Sequence, residues 1–174
     1  MARRNKIGLR EFHQEVVAKL QALSQGGEAA PSSKLGLQAG DQYWLVDLAD
    51  IGEVIQPPAL TPVPLSQPWF AGVANVRGNL YSVADFSAFC GGEAVADSAD
   101  KRLVLAHPKF MVNAGLLVSR LLGLRHADQL QGRDIPAGAA SWVSAAYTDN
   151  EGHQWQELNV QALVNDHGFL QAGR

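Results

Sequence analysis

A predicted β-hairpin over residues 69–86 constrains the fold of this chain more than any other segment. Two apolar runs with alternating side chains flank Gly78-Asn79, a dipeptide that suits a two-residue turn. Counting outward from that turn pairs Arg77 with Leu80 and sets the register of every later pair. Because opposed residues share a face of the sheet, this register predicts the composition of both faces of the hairpin.

The two predicted faces of this hairpin differ in chemistry. One is expected to be core and holds Ala74, Val76, Tyr81 and Val83. The other is expected to face outward and holds Asn75, Arg77, Leu80 and Ser82. A hairpin that is only structural needs no arginine and asparagine on its outer face. The polar face is therefore the candidate recognition surface.

Composition excludes several classes of protein. The 174 residues suit one domain or two small ones, and 47% apolar residues provide for an ordinary core. The net charge of −3 and the scattered basic residues argue against a nucleic-acid-binding face. Cys90 is the only cysteine, so no intramolecular disulfide is possible and a reducing compartment is indicated. Since no apolar run is long enough to span a bilayer, we predict a cytoplasmic protein.

The first 33 residues are predicted to form an amphipathic helix and a linker. Apolar residues spaced by three and four form one stripe on a helix over about 8–24: Leu9, Phe12, Val16, Leu20 and Leu23. A single helix of this length is marginal in isolation, so the stripe must be buried. It packs on its own domain, docks on a partner, or forms the seam of a dimer.

Short strand-like runs with turn signals fill the rest of the chain and predict a mainly β fold. The polar segment 91–100 is the best candidate for a subdomain boundary. The predicted domain covers 34–170, with a first barrel at about 34–92 and a second at about 101–158. A closing helix at about 159–167 is expected to start at the N-cap Asn159 and end at His167-Gly168.

Motifs for catalysis, metal binding or cofactor binding are missing from the sequence. The five histidines lack the spacing of a zinc site, and there is no nucleophile elbow, P-loop or dinucleotide fingerprint. Cys90 has no basic neighbour and is expected to be a packed residue. Asp85 is expected to bind the backbone where the chain turns. The four tryptophans are expected to fill core space, with Trp69 also a possible anchor for a partner.

The hairpin sequence resembles the signature of the CheW-like chemotaxis adaptor family. Residues 70–86 contain its Gly-Val-hydrophobic-Asn-hydrophobic-Arg-Gly pattern and the later aspartate. Weaker similarity extends over 47–55, where Glu53 matches the family's glutamate, and over 115–124 and 158–163. The chain departs from the pattern at two positions, with Ser82 in place of a proline and Ser119 in place of an aspartate.

This resemblance implies two intertwined five-stranded SH3-like β-barrels without catalytic activity, cofactor or metal. It implies an adaptor that couples the cytoplasmic tip of a methyl-accepting chemoreceptor to the regulatory domain of a CheA-like histidine kinase. The amphipathic start and the hairpin are most similar to the PilI-like branch, which serves a PilJ-like receptor in type IV pilus twitching motility. A scaffold of a flagellar or other chemosensory array is the alternative.

The resemblance also implies partner-binding residues. These are Arg77, with Asn75 and Gly78 beside it, and Glu53 and Val54 on an earlier strand. A second interpretation of Arg77 is that it pairs with Glu53 and only staples the barrel. A different class of function, a small-ligand-binding β-barrel or an enzyme using Asp85 and a histidine, lacks a convergent set of titratable residues.

Overall fold

The computed structural model describes Gln14, Val16, Val17 and residues 33–174. Gln14, Val16 and Val17 are helical, and residues 33–174 contain eleven β-strands and three short α-helices. The strands are β1 Lys34–Ala39, β2 Gln42–Asp47, β3 Ile51–Ile55, β4 Phe70–Val76, β5 Asn79–Asp85, β6 Arg102–Ala106, β7 Ala114–Val118, β8 Arg120–Arg125, β9 Leu130–Arg133, β10 Val143–Asp149 and β11 Gln154–Leu158. The helices are α1 Phe86–Phe89, α2 Val160–Val164 and α3 His167–Leu170.

These strands form two sheets, and each sheet takes strands from both halves of the chain. The six-stranded sheet has the order β8-β1-β2-β11-β10-β9, and the five-stranded sheet has the order β3-β6-β7-β5-β4. Most neighbours are antiparallel, but β2 pairs with β11 and β5 pairs with β7 in parallel. The prediction of a mainly β fold with two intertwined units is confirmed, although one sheet has six strands rather than five.

The predicted barrel ranges, 34–92 and 101–158, do not coincide with these sheets. Strands β1 and β2 lie with β8 to β11, whereas β3 to β5 lie with β6 and β7. The segment 91–100 is a loop without strand or helix, as expected, but it connects two strands of one sheet. Turn composition predicts where a loop lies and carries no information on which strands pair across it.

The hairpin has the predicted faces but a different register. Asn75 pairs with Leu80 and Val76 with Asn79, so the turn residues are Arg77-Gly78 and not Gly78-Asn79. Both turn residues have positive φ, 51° and 86°, as a type I′ turn requires. Compared with the predicted pairing, the partner of each β4 residue near the turn is shifted by two positions along β5. A shift by two positions leaves every strand side chain on its predicted face. The core face packs into an apolar cluster, and the opposite face is exposed.

A backbone contact brings the two edges of the five-stranded sheet together. After β3, the proline-containing segment 57–68 returns so that Thr61 exchanges two backbone hydrogen bonds of 2.9 Å with Val73 of β4. Gly72 lies beside this contact with φ of 133°, and a Cβ there would lie 2.5 Å from the carbonyl oxygen of Thr61. Glycine is therefore required at this position for the backbone of β4 to approach Thr61.

Two apolar clusters stabilise the fold. The smaller one belongs entirely to the five-stranded sheet and holds Ala74, Val76, Val83, Leu103, Leu105 and Leu117. The larger one joins both sheets and the helices, and it includes the buried indoles of Trp44 and Trp142. Trp155 is also buried, so three of the four tryptophans fill the interior as predicted.

The closing helix is shorter than predicted. Asn159 is the N-cap and accepts a hydrogen bond from the backbone N–H of Ala162, but α2 ends at Val164. His167-Gly168 does not end it, because Asp166 caps a new helical turn by accepting from Phe169 N–H. The predicted helix over 8–24 lies outside the described residues, except that Gln14, Val16 and Val17 are helical. Val16 is buried in the larger cluster.

We expect Gly72→Ala to destabilise the fold by about 1–3 kcal/mol, the typical cost of a residue held in an unfavourable backbone conformation. Gly78→Ala is the matched control, because Gly78 also has positive φ but nothing lies within 4 Å of its added Cβ. Urea unfolding should show a larger loss for Gly72→Ala. Equal losses of unfolding free energy in the two variants would mean that the close approach to Thr61 adds nothing to the cost of the positive φ.

The β10–β11 turn is organised by the carboxylate of Asp149. Its Oδ1 accepts backbone hydrogen bonds from Glu151 and His153, and its Oδ2 accepts from Trp155 Nε1 and contacts His153 Nδ1. Desolvation would raise the pKa of Asp149, but these hydrogen bonds outweigh it and lower the pKa to about 2. The ionised carboxylate is therefore part of the folded state.

This pKa predicts a dependence of stability on pH. Since the pKa of Asp149 is below its ordinary value of 3.8, its contribution is complete above that value and is lost as the pH falls towards 2. Asp149→Asn should lower the free energy of unfolding at neutral pH and flatten its decline between pH 3.8 and 2. Asp128→Asn, at an exposed position, is the control for removing one negative charge elsewhere on the surface. An unflattened decline in Asp149→Asn contradicts the assignment.

Candidate functional site

The tip of the β4–β5 hairpin positions the predicted site residues. Arg77 occupies the left-handed region, which is uncommon for a residue with a side chain, and Gly78 follows it in the turn. The Asn75 side chain stabilises this geometry, because its Oδ1 accepts a 2.9 Å hydrogen bond from the backbone N–H of Gly78. Asn75 and Gly78 thus fix the backbone that presents the arginine.

Arg77 forms a bidentate ion pair with Glu53. Its Nη1 donates to Glu53 Oε2 at 2.9 Å, and its Nη2 donates to Glu53 Oε1. The hydrogen bonds and the negative charge of Glu53 raise the pKa of Arg77. The pair connects β3, one edge of the five-stranded sheet, with the hairpin that contains the opposite edge strand.

The internal pairing of Arg77 with Glu53, one of the two interpretations of the sequence, is therefore present. It does not bury the arginine, because the Arg77 side chain is 72% exposed and that of Glu53 is 32% exposed. Exposed ion pairs contribute little to stability. The guanidinium remains accessible from solvent, so partner contact at Arg77 stays a prediction.

Val54, the fifth predicted site residue, does not lie on this surface. It is 3% exposed and packs in the larger apolar cluster. A bulge between Ile51 and Glu53 shifts the alternation of β3, so that Ile51 and Val54 both point into the core although they are three residues apart. Val54 is thus not presented at the surface, and partner contact at Val54 stays a prediction that its burial does not support. Four of the five residues come together, and Val54 is core.

Asp85 has the backbone role expected of it. Its Oδ1 accepts from Ala88 N–H at the start of α1, and its Oδ2 accepts from Val95 N–H in the 91–100 loop. Ser119 replaces the aspartate of the family pattern, and its Oγ accepts a 3.0 Å hydrogen bond from the backbone N–H of Gly40. The hydroxyl of Ser119 thus serves as a hydrogen-bond acceptor at the position where the family pattern has an aspartate.

A groove beside the hairpin was not anticipated from the sequence. It measures about 370 Å³ and lies between the outer face of β5, at Leu80 and Ser82, and the C-terminal residues Phe169 and Leu170. Trp69 lines it and is only partly buried, unlike the other three tryptophans. The signals available in the sequence were Leu80 on the polar face and the Trp69-Phe70 pair, but the pattern of residues does not show that the C-terminus packs beside them.

Among the described residues, no three histidine, cysteine or acidic side chains are arranged to hold a metal ion. In the same part of the chain, no helix has the length and apolar character needed to cross a membrane.

Comparison with known proteins identifies the family. The profile of the CheW-like domain matches residues 34–168, which is most of the chain. The chain belongs to the CheW-like family. It is 30% identical over 140 residues to the protein PilI of Pseudomonas aeruginosa, covering 79% of this chain and 78% of PilI. It is 31% identical over 84 residues to the chemotaxis protein CheW of Rhizobium meliloti, covering 48% of this chain and 54% of that protein.

The fold agrees with a solved structure of the same family. The scaffolding protein TtCheW from Thermoanaerobacter tengcongensis superposes with a TM-score of 0.63 at 17% identity, over 80% of this chain and 96% of that one. The predicted likeness to CheW-like adaptors and to PilI is thus confirmed. As a CheW-like chain, the protein is a scaffold or adaptor of chemosensory systems.

Cys90 should react slowly with thiol reagents in the folded chain. Burial, and to a smaller extent the charge of Asp85, raises the pKa of the Cys90 thiol from 9.0 to about 12. Each pKa unit is a factor of ten, so the thiolate fraction at pH 8 falls about a thousandfold. Labelling with an aromatic disulfide should be slow in buffer and fast in urea. Rapid labelling of the folded chain would revive Cys90 as a reactive residue.

Proposed function

We propose that this CheW-like protein is a non-catalytic adaptor that couples a methyl-accepting chemoreceptor to a CheA-like histidine kinase. The cytoplasmic tip of the receptor and the regulatory domain of the kinase are its two partners. The observation that carries the proposal is an exposed arginine, fixed on a rigid hairpin tip, in a chain of this family. The absence of a motif for catalysis in the sequence agrees with it.

The chemistry of the hairpin tip supports a protein partner with a carboxylate at the contact. A guanidinium presents a planar fork of donors that matches a carboxylate, and here Glu53 already occupies that fork. A partner carboxylate must therefore share or replace Glu53. Because both groups are at the surface, this exchange exposes no buried charge.

We further propose that the pathway is the one controlling type IV pilus twitching motility, with a PilJ-like receptor. The similarity to PilI over 79% of the chain supports this assignment. The matches to CheW proteins cover about half of the chain, so a flagellar or other chemosensory array is the second candidate. In either case we infer recruitment to the inner face of the cytoplasmic membrane through the receptor.

Arg77→Glu should weaken binding of one partner at least tenfold while the chain remains folded, because the contact charge is reversed at an exposed position. The receptor tip and the kinase regulatory domain are purified and titrated separately against the variant. Arg120→Glu is the matched control, since Arg120 is also exposed but lies on β8 of the other sheet. It should bind both partners normally.

A charge swap separates the two roles of Arg77. The double variant Arg77→Glu with Glu53→Arg restores the internal ion pair but not the positive charge at the hairpin tip. If Arg77 contacts the partner, the swap should not rescue binding. Rescue of binding by the swap would show that Arg77 acts only through its internal ion pair with Glu53. Unchanged binding by Arg77→Glu alone would show that Arg77 is not a partner-binding residue.

A further inference from the structure

The loop 91–100 connects the two halves of the domain, which we define as residues 34–90 and residues 101–174. Each half contributes strands to both sheets, and four strand pairs join the halves: β1 with β8, β2 with β11, β3 with β6 and β5 with β7. The halves are therefore interlaced in space, while a single surface loop joins them along the chain.

Buried polar groups hold this loop in place, although every residue in it except Val95 is exposed. In the described part of the chain only three polar or charged residues are buried, and each of them binds the loop backbone: Asp85, Ser87 and Arg102. Burying charged groups costs free energy, and one use of such groups is to specify a single conformation. The conformation that these residues specify is that of the loop.

Asp85 makes the central contact, because it joins the first half to the middle of the loop. Its Oδ1 accepts from Ala88 N–H at 3.0 Å and caps α1, and its Oδ2 accepts from Val95 N–H at 2.7 Å. The Val95 side chain packs against the smaller apolar cluster. We call this contact between Asp85 and Val95 the latch. A loop that extends loses the latch, since Val95 then leaves both the carboxylate and the cluster.

We propose that the loop 91–100 is a latched hinge: the latch keeps the chain closed, and its release lets two copies of the chain exchange their second halves in a domain-swapped dimer. Each unit of this dimer consists of the first half of one copy and the second half of the other. All four strand pairs between the halves form again, so only the loop changes conformation. Ten extended residues reach about 33–36 Å, which lets the loop cross between adjacent units.

The swapped dimer carries two complete hairpin tips. Glu53 and Arg77 both belong to the first half, so their ion pair forms within one copy and is unaffected by the exchange. The dimer is therefore a bivalent form of the same scaffold. The inference does not depend on which partner the hairpin tip binds.

Asp85→Asn opens the latch and keeps the helix cap. The amide oxygen can still accept from Ala88 N–H, but the amide NH2 then faces Val95 N–H, and two donors cannot bind each other. Because the swapped dimer lacks the latch in either chain, the substitution destabilises only the closed monomer. The hydrogen bond lost is one to a charged group, so the dimer association constant should rise at least tenfold. The full chain is unfolded in urea and refolded at several concentrations, and the dimer is measured by gel filtration with light scattering.

Asp166→Asn is the matched control. Asp166 caps α3 by accepting from Phe169 N–H, which an asparagine does equally well, so the dimer association constant should stay that of the unaltered chain. Val95→Pro is a second latch variant, because it removes the N–H donor and leaves Asp85 in place. It should show the same increase, and it serves if Asp85→Asn does not fold. An unchanged association constant in a folded latch variant overturns the proposal.

An ion pair between the halves distinguishes a swapped dimer from any other dimer. Lys34 Nζ of the first half lies 2.6 Å from Glu157 Oε1 of the second, and the two side chains are 14% and 17% exposed. In a latch variant, Lys34→Glu alone or Glu157→Lys alone places like charges together in every unit. Refolding these two variants together allows a swapped heterodimer with opposite charges in both units. The mixture should form more dimer than either variant alone, and an equal amount would show that the halves do not exchange.

Discussion

Four strand pairs hold the two halves of this chain in one structure: β1 with β8 and β3 with β6 are antiparallel, and β2 with β11 and β5 with β7 are parallel. Trp155 of β11 lies beside Tyr43 of β2, and Val83 of β5 lies beside Gly115 of β7. Every other feature depends on these pairs, because the apolar cluster that joins the sheets forms only when strands distant in sequence are adjacent. Non-local pairing of this kind costs loop-closure entropy, and it makes folding slower than the formation of local hairpins.

Local features of the sequence predicted much of the fold because their causes are local. Alternation predicted both faces of the β4–β5 hairpin, and short polar side chains predicted the capping roles of Asp85 and Asn159. The register of the hairpin was wrong for a physical reason. A shift of two residues leaves the apolar pattern intact, so only the turn geometry, with Arg77 at positive φ, distinguishes the two registers.

Features that depend on contacts between distant residues could not be predicted from the sequence. The burial of Val54 follows from a bulge beside it, and the membership of the sheets follows from pairing across the whole chain. The candidate site shows the same division. The hairpin that presents Arg77 was predictable from residues 69–86, whereas the groove required knowledge of where the C-terminus packs. Glu53 was found only because the family resemblance pointed to it.

The intertwined sheets have a consequence for the exposed loop 91–100. A cut in that loop would leave two fragments, and neither would contain all the strands of either sheet. The strand partners that each fragment lacks are the ones that the other supplies, through β1 with β8, β2 with β11, β3 with β6 and β5 with β7. The chain is thus suited to fragment complementation, in which reassembly of the two pieces reports that two fused proteins have met.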